Sequence, residues 1–170
     1  MDELIVEFKQ ESEKLTKELI DILEDIEGDF SQKEMLDQYG QVVDRMMGGA
    51  KSLAMAVDDP APLEMIGSYA ALCKIVGYKG SQIKDNENFY NIVVGLLLDA
   101  TEMLDEMVQS LDKEDKKDVK AFVSDAFLGR LQWVSEQFGE EVRSSLDLNK
   151  KNKSKTSQNE IDDLLSQLGL

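Results

Sequence analysis

The sequence predicts an all-α protein: an up-and-down antiparallel four-helix bundle plus a fifth helix, with a tethered C-terminal amphipathic helix. Three observations carry this. Apolar residues recur at spacings of three and four rather than in alternation. The breaks between periodic segments are only a few residues long, which makes successive helices antiparallel neighbours. The last residues regain helical periodicity after a polar, basic stretch.

Taking the elements in order, Leu4, Phe8, Leu15, Leu19, Ile22 and Ile26 form one stripe, so residues 2–27 should be an amphipathic helix. Gly28, Asp29 and Ser31 break it, and Ser31 with Glu34 has the form of a capping box that opens a second helix over residues 32–57. DDPAP stops that helix, because Pro60 and Pro62 restrict the residues before them. A third helix starts near Pro62, a residue suited to the first turn, and continues until Gly77 and Gly80 weaken it. FYNIVVGLLLDATEMLDEMVQSL makes a fourth, apolar enough in its first half to lie at the centre of the core. A fifth begins at DKEDKKD and carries Val119, Phe122, Val123, Phe127, Leu131, Val134 and Phe138.

The bundle should therefore span residues 1–148, followed by a flexible basic linker over 149–156 and a tail helix over 157–170. In the tail, Ile161, Leu164, Leu165 and Leu168 share one face, and Ser157 with Glu160 repeats the capping-box form. Fourteen residues do not hold a helix alone in water. The tail therefore reads as a segment that folds in a partner's groove, with docking back onto its own bundle as the alternative.

Composition narrows the function classes. Of the 170 residues, 42% are apolar and 32% charged, which suits a folded body rather than a disordered chain. No apolar run approaches a membrane span, and MDELIVEFKQ is acidic where a secretory leader is basic, so a cytoplasmic protein with no membrane partner is expected. The net charge of −16 argues against nucleic acid. Cys73 is the only cysteine; between Leu72 and Ile75 it reads as a core filler. The chain has no histidine, which removes the usual general base, zinc ligand and phosphoacceptor. Scattered carboxylates give no spaced metal cage, and no metal or cofactor of its own is expected.

On a helical wheel, the second helix turns Leu36, Val43, Met46, Met47, Ala50, Leu53, Ala54 and Val57 to one arc. Asp37, Gln41, Asp44 and Gly48, spaced i, i+4, i+7 and i+11, form a narrow polar strip opposite. A solvated face explains the polar residues but not Gly48 and Gly49, each costing up to about 1 kcal/mol relative to alanine. Close approach of a neighbouring helix accounts for one of them, and a partner's backbone settling on the surface for the other. Tyr39 lies at the flank of the arc, able either to pack or to border a docking site. Met46 and Met47 read as core, Arg45 as a surface cation, and Trp133 as a packed residue or the mark of an interface.

DQYGQVVDRMM, residues 37–47, resembles the active-site helix of the CheZ family, bacterial chemotaxis phosphatases that dephosphorylate the response regulator CheY. TSQNEIDDLLSQLGL is similar to the tethered helix with which that family holds its regulator, and more loosely to the regulator-binding peptide of the flagellar switch protein FliM. Carried over residue by residue, the resemblance makes Gln41 the catalytic amide and Asp37 its companion one turn earlier. It assigns Ile161, Asp162, Leu164, Leu165 and Leu168 to the regulator-binding tail. The stretch from Asp44 to Leu53 also resembles the histidine-phosphotransfer (HPt) helix, His-x-x-Lys-Gly-x-Ala-x-x-Leu, with Gly48, Ala50 and Leu53 matching. Asp44 stands where the phosphorylated histidine belongs and Met47 where the lysine does, which excludes phosphotransfer by the usual route and leaves a docking surface of Asp44, Arg45, Gly48 and Gly49.

Together the resemblances imply an HPt-like bundle carrying a CheZ-type site, with a phosphorylated CheY-like response regulator as partner and Mg²⁺ supplied by that regulator. CheZ itself is a dimer on one long helical hairpin, whereas these helices are about 25 residues each by their spacing, so the sequence leaves homodimerisation open. Two other readings remain: a non-enzymatic HPt-like module that sequesters or localises the phosphorylated regulator, and an acidic helical adaptor addressed by its tail.

Overall fold

The computed structural model describes residues 3–113 and 124–144, together with Asp163 and Ser166 near the C-terminus. Among the described residues it is all-helical, with no strand. Helices α1 (Glu3–Ile26), α2 (Met35–Ala54), α3 (Ala61–Ser81), α4 (Glu87–Gln109) and α5 (Asp125–Ser144) follow one another, with single 3₁₀ turns at Phe30–Gln32 and Ser110–Asp112. No helix among the described residues is long and apolar enough to cross a membrane.

The first helix follows its apolar stripe closely, except that Leu4 is exposed and Phe8 only partly buried. The start of the second differs from expectation. The expected capping box at Ser31 and Glu34 does not form: Asp29 accepts from the Ser31 amide (3.1 Å) and caps the 3₁₀ turn, and Glu34 makes no side-chain cap. Gly28, at φ +75°, supplies the left-handed turn that sets Asp29 there. α2 consequently begins at Met35, and it ends at Ala54 rather than Val57. The Tyr90 hydroxyl of α4 ties this corner down, donating to the Ile26 carbonyl at 2.8 Å.

α3 has Pro60 and Pro62 at its start and runs to Ser81, straight through Gly77 and Gly80. These glycines do not weaken the helix; they are contact points. A Cβ at Gly77 would stand 2.8 Å from Tyr39 Cδ1 and 3.3 Å from the Leu36 carbonyl oxygen, and one at Gly80 would stand 2.8 Å from Leu36 Cδ1. In return Tyr78 of α3 lies on Gly40 of α2, again 2.8 Å from where a Cβ would be. Each helix thus seats a tyrosine ring on the other's glycine, and α2 and α3 form the closest-packed pair.

α1 packs on α2 and α4, and α3 packs on α2 and α4. The core runs through all of them, with Leu19, Leu23, Ile26, Leu36, Val43, Ile66, Val94, Leu97 and Leu104 fully or almost fully buried. Asn86 caps α4, accepting from the Phe89 amide at 3.0 Å. α5 starts at Asp125, with the Ser124 hydroxyl accepting from the Phe127 amide (3.2 Å); the expected start in DKEDKKD, from Glu114 on, and Val119, Phe122 and Val123 lie outside the described residues. It buries Phe127, Leu131, Val134 and Phe138, and Phe138 packs edge-on against Phe89 of α4. Trp133 is 46% exposed, its ring edge against Phe89.

Candidate functional site

Burial sorts α2 into the two faces its periodicity predicts. Leu36, Val43, Met46, Ala50 and Leu53 are buried, Met47 is partly so, and Asp37, Gln41 and Gly48 are exposed. Tyr39 belongs to the core: it is fully buried, and its hydroxyl lies 3.0 Å from Thr101 Oγ1. Thr101 itself donates to the Leu97 carbonyl (2.6 Å), so the tyrosine is the donor of that pair. Burial holds the Tyr39 phenol neutral, far above its ordinary pKa.

On the outward face, Gln41 Nε2 donates to Asp37 Oδ2 at 3.2 Å, one turn back along the helix. This bond has a chemical consequence. With its NH₂ end turned to Asp37, the amide is left with Oε1 as a free-facing acceptor. Farther along, Asp44 is half-exposed and accepts from Lys74 Nζ of α3 at 2.7 Å. Lys74 also stands 5.9 Å above the Tyr78 ring, so Tyr78 and Lys74 form the α3 border of the strip.

The two adjacent glycines differ in their surroundings. Gly48 is exposed, with nothing within 4 Å of where a Cβ would be, whereas a Cβ at Gly49 would meet the Phe8 ring at 3.3 Å. Close approach of α1 explains Gly49, and nothing among the described residues explains Gly48. Arg45 is exposed on the α1 side, bordering an open groove with Glu7, Gln10, Glu11 and Lys14. Asp37, Gln41, Asp44 and Gly48 therefore share one convex face, about 16 Å long at 1.5 Å per residue, while Arg45 and Gly49 turn toward α1.

Three residues that the sequence reading did not assign complete this face. Lys74 and Tyr78 come from another helix, and no signal local to α2 could have named them. Met55, two turns beyond Gly48 and 85% exposed, continues the strip at i+7 and was detectable by extending the same wheel.

The tail residues Ile161, Asp162, Leu164, Leu165 and Leu168, and the linker before them, lie outside the described residues. Asp163 and Ser166 are helical and exposed. Cys73 is buried in the core, and burial pushes its thiol up to about 12. Among the described residues no group of three or more His, Cys, Asp or Glu side chains could hold a metal ion. The strip can therefore offer a partner an amide acceptor, a carboxylate and a side-chain-free notch on an exposed helix face. No family model, no curated protein and no solved structure matches the chain.

Proposed function

We propose that the protein is a phosphatase that accelerates hydrolysis of the aspartyl phosphate on a CheY-like response regulator in chemotaxis. In this reading α1 to α4 form an up-and-down antiparallel four-helix bundle of the HPt type with α5 as the fifth helix. Residues 157–170 are a tethered regulator-binding helix, and the protein works in the cytoplasm. The observation that carries the reading is the exposed Gln41 amide, bonded to Asp37 on an outward face that lacks a phosphoacceptor and is notched at Gly48. Asp44, at the position the HPt pattern gives to histidine, is ion-paired with Lys74.

The chemistry asks little of the phosphatase. The regulator supplies Mg²⁺ and a lysine, which already stabilise charge on the transferring phosphoryl group. What is missing is a water held in line. Gln41 Oε1 accepts a hydrogen bond from that water, whose oxygen attacks phosphorus as the bond to the aspartyl oxygen breaks. The carboxylate leaves and the water's proton departs with inorganic phosphate. Ordering the water removes an entropic part of the barrier. Asp37 fixes the amide's orientation and is available to pair with the regulator's lysine.

The test is phosphate release from a chemotaxis response regulator kept phosphorylated by excess small-molecule donor, with substoichiometric wild type or Gln41→Ala. Many turnovers with wild type and few with the variant are expected, with binding retained. If both proteins bind the phosphorylated regulator and neither speeds release, the strip is the docking surface of a binding module, and the phosphatase reading fails.

A further inference from the structure

The charge of the chain is unevenly spread over its helices. α1 carries eight acids against Lys9, Lys14 and Lys17, for a net −5, and α4 carries five acids and no base, again −5. α2 carries Asp37 and Asp44 against Arg45 and Lys51 and is neutral. α3 carries Glu64 against Lys74 and Lys79 and is +1. Since α1 packs on α4 and α2 on α3, most of the acids gather on one side, and α2 and α3, which with Asp58 and Asp59 of their connection carry a net −1, form the far less acidic other. In about 0.1 M salt, charges are screened over about 10 Å, close to the 8–10 Å usual between packed helix axes. A partner resting on α2 and α3 therefore feels those helices more strongly than the acids behind them.

Two cations stand on the α3 edge of the strip. Lys74 is fixed 2.7 Å from Asp44, just before the open notch at Gly48. Lys51, exposed one turn after the notch, crosses Gly67 of α3, its Cγ 3.1 Å from where a Cβ would be. Gly67 so lets a lysine of α2 lie across α3.

We infer that the partner presents an anionic protein surface to the seam between α2 and α3, with Lys51 and Lys74 as the positioning and specificity-determining residues and the α1–α4 side outside the interface. Charge complementarity is what selects this occupant. The inference rests on the phosphatase reading for the partner's identity, a phosphorylated response regulator. The two cations steer it so that the phosphorylated aspartate arrives at Gln41 rather than at the acidic side.

The test is the association rate of the phosphorylated regulator with wild type, Lys51→Glu, Lys74→Glu and Lys17→Glu, measured from about 50 mM to about 500 mM salt. Lys17 is exposed on α1, so all three variants change net charge equally. Lys51→Glu and Lys74→Glu should each slow association by about fivefold or more at low salt, the gap closing as salt rises, while Lys17→Glu stays within about twofold. Lys74→Arg should retain the rate, and Lys51→Glu should raise KM with kcat unchanged. Because Lys74→Glu sets a carboxylate beside Asp44, Lys51→Glu carries the test if that variant unfolds. Equal slowing by all three variants, or none by the α2–α3 pair, overturns the inference. Turnover is scored separately. No turnover with the rate pattern intact removes the phosphatase reading and keeps the surface; turnover with all variants alike does the reverse. Absence of any binding by wild type removes both.

Discussion

Replacing Gly48 by alanine separates what the helix wants from what the surface is for. Gly48 lies inside α2, its φ is not in the left-handed region, and the space where a Cβ would go is open. Nothing among the described residues opposes the methyl group, so Gly48→Ala should gain most of the propensity difference, about 0.8–1 kcal/mol. In a chain of this size that is a rise in Tm of about 2–4 °C, or roughly 0.5 M in urea midpoint for an m-value near 2 kcal/mol/M. If a partner's backbone seats in the notch, the same methyl costs docking energy. About 1 kcal/mol of overpacking there lowers kcat/KM for the phosphorylated regulator about fivefold. The assay is urea denaturation followed by circular dichroism, run beside turnover at subsaturating regulator. A variant that is more stable and equally active refutes the notch. One that is not stabilised refutes the claim that Gly48 sits in ordinary, uncrowded helix.

Gly77→Ala should do the opposite, costing about 1–3 kcal/mol of stability, because the new methyl meets a fully buried Tyr39 ring and a backbone carbonyl; equal stability by urea denaturation would contradict that packing. Tyr39→Phe should cost about 1–3 kcal/mol, since the phenol's bonds to Thr101 and the Cys73 thiol are lost while Thr101 keeps its bond to the Leu97 carbonyl; an unchanged stability by the same assay would contradict these bonds. Cys73 should resist alkylation in the native protein at neutral pH and react fully once unfolded; rapid native labelling by mass spectrometry would contradict its burial. Burial raises the Cys73 thiol from 9.0 to about 12 and the Tyr90 phenol from 10.0 to about 12. The unfolded chain then loses these protons first, so stability should be full below about pH 9 and fall as pH rises toward 12; urea midpoints that stay level across that window would argue against both shifts.

The sequence was most informative where one stripe answers one neighbour. Residues 2–27 became Glu3–Ile26 because the apolar stripe of α1 runs unbroken between a start and a glycine stop. The strip of Asp37, Gln41, Asp44 and Gly48 was legible for the same reason, since period alone separates it from the core. The α1–α2 corner was not. Asp29 and Ser31 are both good caps, and only the left-handed turn at Gly28 decides that Asp29 takes the role. Gly77 and Gly80 misled because a glycine's meaning depends on what lies opposite. Read alone they weaken a helix; facing Tyr39 and Leu36 they let two helices close. Leu4 fits its stripe yet stays exposed, because the stripe says which side faces inward and not how far the neighbours extend. Lys74 and Tyr78 depend on the register between α2 and α3, which no local pattern contains.

The paired ring-on-glycine contacts, Tyr39 against Gly77 and Tyr78 against Gly40, act as a mechanical key. On α2 they occupy the two positions immediately before Gln41, and each blocks both sliding along and rolling about the α2 axis. For α2 to ratchet one turn past α3, about 5.4 Å, both rings would have to climb out of their seats together. The amide is therefore indexed to α3 and not free to drift with the rest of α2. Any signal that retunes this site has to carry α2 and α3 as one rigid piece, or act on what approaches from outside.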